Sequence, residues 1–223
     1  MTLDLLSMFH TWVTVLTKPG EQFFEAERHK QSATLSTALI WMVLAGAVVV
    51  LLELLQVQLY PSSPESMLPS EVLSPSEFLA ILNSIPQRST TQILTGIVTT
   101  PVTFVISVGI QHLVASLLGS NRIRLEPSGE TRSEKFGRYA YLNATFGAPF
   151  AIAMALVSLV PFLICLAVFI LSIYQLVLAY FATRVEYGLP RGRAILVILV
   201  GPLLVGGGTA LVGGTMYNFG FLG

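Results

Sequence analysis

The sequence predicts an all-α, polytopic membrane protein: a helical bundle with five transmembrane helices and N-terminal interfacial amphipathic helices. Three observations carry that prediction. Of 223 residues, 53% are hydrophobic and only 11% are charged, less than half the charged share of an average soluble domain. Long stretches, residues 31–52, 89–121, 139–183 and 194–223, contain no Asp, Glu, Lys or Arg, and each can cross a bilayer that needs ~20 apolar residues per helix. The basic residues fall almost wholly in alternate connections between those stretches, which is the signature of a chain threaded through a membrane.

The first element is residues 1–30. Leu5, Met8, Phe9, Trp12 and Leu16 recur at three- and four-residue spacings, so they share a helix face. Pro19 and Gly20 break that helix. Phe23 and Phe24 then stand among Glu21, Glu25, Glu27, Arg28 and Lys30, a mixture suited to a headgroup layer. The first sixteen residues lack the basic start and small-residue cleavage site of a secretory signal, and the expectation is that they are retained.

Residues 31–60 form the first span, closed by Pro61. The Ser- and Pro-rich stretch 61–88 is an outer loop, with Ser76–Ile85 able to form a short amphipathic turn. Residues 89–121 form the second span, with Pro101 a tolerated kink. The basic loop is 122–138. The 45 uncharged residues from 139 to 183 are too many for one crossing and enough for two. Pro161 therefore divides a third span (139–160) from a fourth (161–183). A loop (184–193), a fifth span (194–214) and a tail (215–223) with Tyr217, Phe219 and Phe221 at the far interface complete the chain.

Orientation follows from the twelve basic residues. Three precede span one, five lie between spans two and three, and three lie between spans four and five, against Arg88 alone on the other side. The positive-inside rule places the eleven in the cytoplasm, so the N-terminus is cytoplasmic and the C-terminus extracytoplasmic, in the plasma membrane. A single crossing at 139–183 would weaken the split to eight against four.

Chemistry is scarce. A net charge of zero with no dense basic run argues against nucleic acid as a partner. The lone cysteine, Cys165, forms no internal disulfide or cysteine metal cluster. The histidines, His10, His29 and His112, sit in no zinc-protease pattern, and Asp4 is the sole aspartate, which removes a paired-aspartate protease. The expectation is a protein that is not an enzyme, with no metal and no cofactor. The candidate polar residues within the membrane are Glu53, Gln111, His112 and Asn143, since burial of such groups is costly. Glu53 lies near the outer leaflet and His112 near the inner one, ~20 Å apart, too far for a relay by themselves. Asn143 is expected to bridge helices and Tyr139 and Tyr141 to join the aromatic belt. Leu5, Phe9, Trp12, Arg122, Arg124, Arg132, Lys135, Arg138, Arg184, Arg191 and Arg193 form a face for lipid or partner. Gly206, Ala210 and Gly214 repeat small residues every four positions, a helix-packing stripe.

WVTVLTKPGEQFF (Trp12–Phe24), QHLVASLLGS (Gln111–Ser120), the aromatic and proline of Tyr141–Pro149, and YGLPRGRAILVIL (Tyr187–Leu199) together resemble the Yip1-domain family. The resemblance covers most of the chain except the outer loop. It implies five spans with a cytoplasmic N-terminus. Eukaryotic members act in vesicle traffic and associate with Ras-like GTPases through a long N-terminal arm. This chain is similar to the short prokaryotic members, so that partner is not carried over.

The leading expectation is a membrane organiser or recruiter acting through a basic cytoplasmic face against anionic headgroups, with membrane-protein partners or a homo-oligomer. The alternatives are a small carrier or channel with a polar pocket between spans two and three, and an accessory subunit of a larger membrane complex.

Overall fold

The computed structural model describes residues 5–59, 90–119 and 131–200. Among these the elements are helical. They are α1 (Leu5–Thr17), α2 (Glu21–Arg28), α3 (Leu35–Leu59), α4 (Thr90–Gly119), α5 (Arg132–Ser158) and α6 (Pro161–Tyr187), followed by a helix α7 over residues 191–200. Four helices are long and apolar enough to cross a membrane: α3, α4 from Ile93, α5, and α6 from Ala167.

The ends of these helices are fixed by local chemistry. α5 opens on a reciprocal capping box: Thr131 Oγ1 accepts from Glu134 N at 3.2 Å, and Glu134 Oε2 accepts from Thr131 N at 2.9 Å. Pro161 occupies the first turn of α6, where its missing N–H costs nothing. Gly188, with φ 58°, ends α6 in the left-handed conformation that glycine adopts freely. In α2, Glu21 in the first turn and Arg28 in the last both oppose the helix dipole favourably.

The spanning helices alternate in direction. α3 and α4 are antiparallel: Gly46 faces Thr100, and Gly96 faces Val50. α5 and α6 pair the same way, with Tyr139 against Thr183 and Phe150 against Tyr174. α3 and α5 run in parallel. A Cβ on Gly137 would sit 3.2 Å from the Leu35 backbone N at one end, and Gln56 Nε2 donates to Ser158 O at 2.9 Å at the other.

α5 is the axis of the bundle, touching α1, α2, α3, α4 and α6. It has the lowest mean hydropathy of the four long helices and the largest buried share. The more apolar helices lie outside it, where lipid is the solvent, and the polar pairs lie within. At 1.5 Å per residue the 25 to 30 residues of these helices reach about 37–45 Å, against a hydrocarbon core of about 30 Å. They therefore overhang the core, and α2 packs on α5 and α6 toward one end of the bundle, called here the α2 end.

Three boundaries differ from the sequence reading. Residues 132–138, read as loop, are the first two turns of α5, because the capping box starts the helix early. Residues 184–187 are the last turn of α6, and residues 191–193 already belong to α7, which leaves Gly188–Pro190 as the connection. Trp12 does not share an exposed face with Leu5 and Phe9; it is 5% exposed, packed edge-on against Trp41 at 6.1 Å. Ser76–Ile85, Arg88, Arg122, Arg124, the stripe of Gly206, Ala210 and Gly214, and the tail lie outside the described residues.

Candidate functional site: the polar end of the bundle

Charged residues gather at the α2 end. α2 anchors its apolar side through Phe24, fully buried against Phe146, and the half-buried Phe23 beside it, and polar contacts hold the rest. Arg28 Nη1 donates to Val185 O at 2.7 Å, and Arg184 pairs with Glu21. Glu27, almost wholly buried, receives Lys30 Nζ at 2.6 Å and the Tyr141 hydroxyl at 2.8 Å. α2 is thereby tied to both α5 and α6.

Thr183, Glu186 and Tyr187 stand three and four residues apart on α6 and so share one face. Arg138 grips one oxygen of Glu186 with Nε at 3.2 Å and Nη2 at 2.9 Å. The other oxygen of Glu186 has no hydrogen-bond partner among the described residues. One layer deeper, the Tyr139 hydroxyl donates to Gln111 Oε1 and meets Thr183 Oγ1, both at 3.0 Å. His112 Nδ1 bonds the Tyr187 hydroxyl, and Lys135 Nζ lies 5.2 Å from the centre of the same tyrosine ring.

Gln111, His112 and Asn143 are thus brought close together by α4 and α5. Among the described residues Asn143 bonds within its own helix: its Nδ2 donates to Tyr139 O at 2.9 Å, because a residue four positions back presents its carbonyl there. Glu53 lies apart, partly exposed near the far end of α3. Arg132 and Arg191 are exposed, and Arg193 reaches back to Leu118 O at 2.8 Å, satisfying a carbonyl at the end of α4.

Of the acidic members, Glu21 and Glu27 were read only as part of a headgroup-layer mixture, and Glu186 was passed over; its signal was its place two residues after Arg184 at the end of an uncharged stretch. Between α2 and the connection after α6 opens a cleft of about 830 Å³, lined by Glu21, Glu25, His29, Arg184 and Pro190 among others.

Four apolar helices of spanning length, with their charge confined to helix ends and short flanking helices, define a polytopic helical membrane protein. The sequence model of the Yip1 domain matches residues 13–213, and the chain belongs to the Yip1 domain family. No curated protein and no solved structure matches it.

Proposed function

We propose that this Yip1-family chain is a non-enzymatic, five-span protein of the cytoplasmic membrane that organises its surroundings or recruits partners through the α2 end, which faces the cytoplasm. The fifth span is the uncharged stretch 194–214 read from the sequence, and α1 and α2 are the interfacial helices. The observation that carries the reading is the build of the α2 end. α2 is tied down by Arg28, Glu21 and Glu27, while Glu25 and His29 line an open cleft and Arg132 and Arg191 are exposed. Buried charges there are spent on internal pairing, and the remaining ones form a mixed, net-basic rim that suits anionic headgroups and membrane-bound proteins.

The carrier alternative needs Gln111 and His112 to face a path for solute, yet both are engaged by tyrosines, Gln111 in the buried interior and His112 half-buried. Recruitment is therefore the reading taken forward. Its test is purification from native membranes in a gentle detergent, with mass spectrometry of what travels with the chain. Stoichiometric companions that are lost in an Arg191→Glu, Glu25→Lys variant are expected. A chain that comes through alone at native abundance would oppose recruitment, and companions indifferent to those charges would favour an accessory subunit docked elsewhere.

A further inference from the structure

Two contacts fix the slope of α1 against the bundle. Leu35, Gly137 and Tyr187 stand at the α2 end, where Gly137 approaches Leu35 and Arg138 holds Glu186. Trp12 packs edge-on against Trp41, six residues after Leu35 and so about 9 Å from that end. Leu16 O accepts from the Tyr174 hydroxyl at 2.9 Å, and Tyr174 stands thirteen residues before Tyr187, about 20 Å from the same end. Phe150, against which the Tyr174 ring packs, is thirteen residues after Gly137 and marks the same depth. α1 therefore descends from Trp12 to Leu16, into the middle of the bundle. The chain then climbs back, because Glu21 pairs with Arg184, three residues before Tyr187.

The lower end of α1 is finished as a helix end in hydrocarbon has to be. The last carbonyls of a helix have no partner within it, and lipid offers none. Here Thr14 O accepts from Lys18 N at 2.8 Å, and Leu16 O takes the Tyr174 hydroxyl from α6. The Thr14 and Thr17 hydroxyls donate to His10 O and Val13 O at 2.7 Å, so neither needs water. The exposed Ser7 and His10 stand higher, toward the α2 end, and Lys18 lies on the climbing stretch, where its stem can run along apolar surface while the ammonium reaches headgroups. At about 100° per residue, Leu6, Phe9 and Val13 fall within about 60° of one another, opposite the buried side of Met8, Thr11, Trp12 and Val15. They are 83%, 56% and 59% exposed. Ile173 and Val177, on either side of Tyr174, are exposed apolar groups too, so this flank continues the surface that α6 offers to acyl chains.

We propose that α1 is a re-entrant helix that binds the acyl chains of one leaflet. It enters beside the bundle at the α2 end, stops near the bilayer centre at Leu16, and returns to the same side through residues 17–20. Leu6, Phe9 and Val13 face the acyl chains, and the Tyr174 hydroxyl caps the submerged end. The inference rests on the reading of α1 as an interfacial helix and deepens it, placing one end of the helix at the interface and the other at mid-depth. About 16 Å of helix, from Leu5 to Leu16, is thereby added to one leaflet and none to the other. Because the chain enters and leaves on one side, α1 adds no crossing.

The test uses the full-length protein with Cys165→Ser and single cysteines in place of Leu6, Phe9 or Val13, exposed positions on one flank whose labels leave the buried side untouched. Each variant is spin-labelled and reconstituted in phosphatidylcholine–phosphatidylglycerol vesicles. Collision rates are then measured for oxygen, which concentrates in hydrocarbon, and for a water-soluble nickel chelate. The expected result is an oxygen-to-nickel ratio that rises several-fold from 6 through 9 to 13. Equal ratios at the three positions would lay the helix flat in the leaflet and overturn the proposal. Nickel dominating throughout would overturn it, as would labels shielded from both reagents, which would mean that a second copy covers the flank. The vesicles hold this chain alone, so a failure of partner recruitment leaves the gradient unchanged and the two readings fail separately.

Discussion

Arg138 and Glu186, 48 residues apart, close α5 onto α6 through two nitrogens on a single carboxylate oxygen, and the Glu186 side chain is completely shielded. Removing one partner strands the other charge in a dry site. Arg138→Ala is expected to cost about 3–5 kcal/mol, read as a loss of thermal stability in detergent. Replacing both by Leu is expected to restore most of it, because an apolar pair needs no desolvation. A double variant no better than Arg138→Ala would show that the pair is not what stabilises this end.

Docking of α2 depends on Glu27. Tyr141→Phe deletes a hydrogen bond to a charged group, worth about 1.5–3 kcal/mol, while leaving the ring against Trp41 in place. Hydrogen exchange should speed up at the amides of α2 and remain unchanged in the centre of α5. Equal acceleration in both would mean that the bundle, rather than the α2 attachment, had loosened.

The flanks of α1 should separate by stability. Trp12→Ala opens a hole between α1 and Trp41 and is expected to cost about 3–5 kcal/mol. Trp12→Phe should be mild, since Trp12 Nε1 has no hydrogen-bond partner among the described residues. Phe9→Ser should fall within about 0.5 kcal/mol in detergent. Thermal unfolding of the three variants orders them, and an equal loss for Phe9→Ser would put that residue in the core.

Gly137 lets α5 approach the start of α3 closely. A Cβ there would lie 3.2 Å from the Leu35 backbone N, a group that cannot swing away. Gly137→Leu should overpack this contact at about 1–3 kcal/mol, whereas Gly109→Ala, with open space around it, should be tolerated. The same melting measurement compares them.

Most of the helical layout could be read from the uncharged stretches. The spans read at 31–60 and 89–121 enclose α3 and α4, and Pro161 marks the start of α6, because hydrocarbon tolerates only long apolar runs and proline favours first turns. The capping box of Thr131 and Glu134 was also present in the sequence, but the basic residues following it read as loop. Trp12 was misplaced because a helix beside a bundle in a membrane has two apolar sides, and periodicity cannot say which one meets protein. The pairs Arg138–Glu186, Arg184–Glu21 and Tyr141–Glu27 join residues 48, 163 and 114 positions apart, and no local pattern encodes such distances. Asn143, expected to bridge helices, bonds among the described residues to the Tyr139 carbonyl of its own helix, the nearest acceptor.

An odd number of crossings with the α2 end in the cytoplasm puts residues 25 and 217 on opposite sides of the membrane. The direct measurement places single cysteines at Glu25 and at Tyr217 in a Cys165→Ser chain and labels intact cells with a membrane-impermeant maleimide. The expected result is labelling at 217 without permeabilisation and at 25 only after it. Labelling of both positions from the same side would contradict the five-span topology and the cytoplasmic recruiting face built on it.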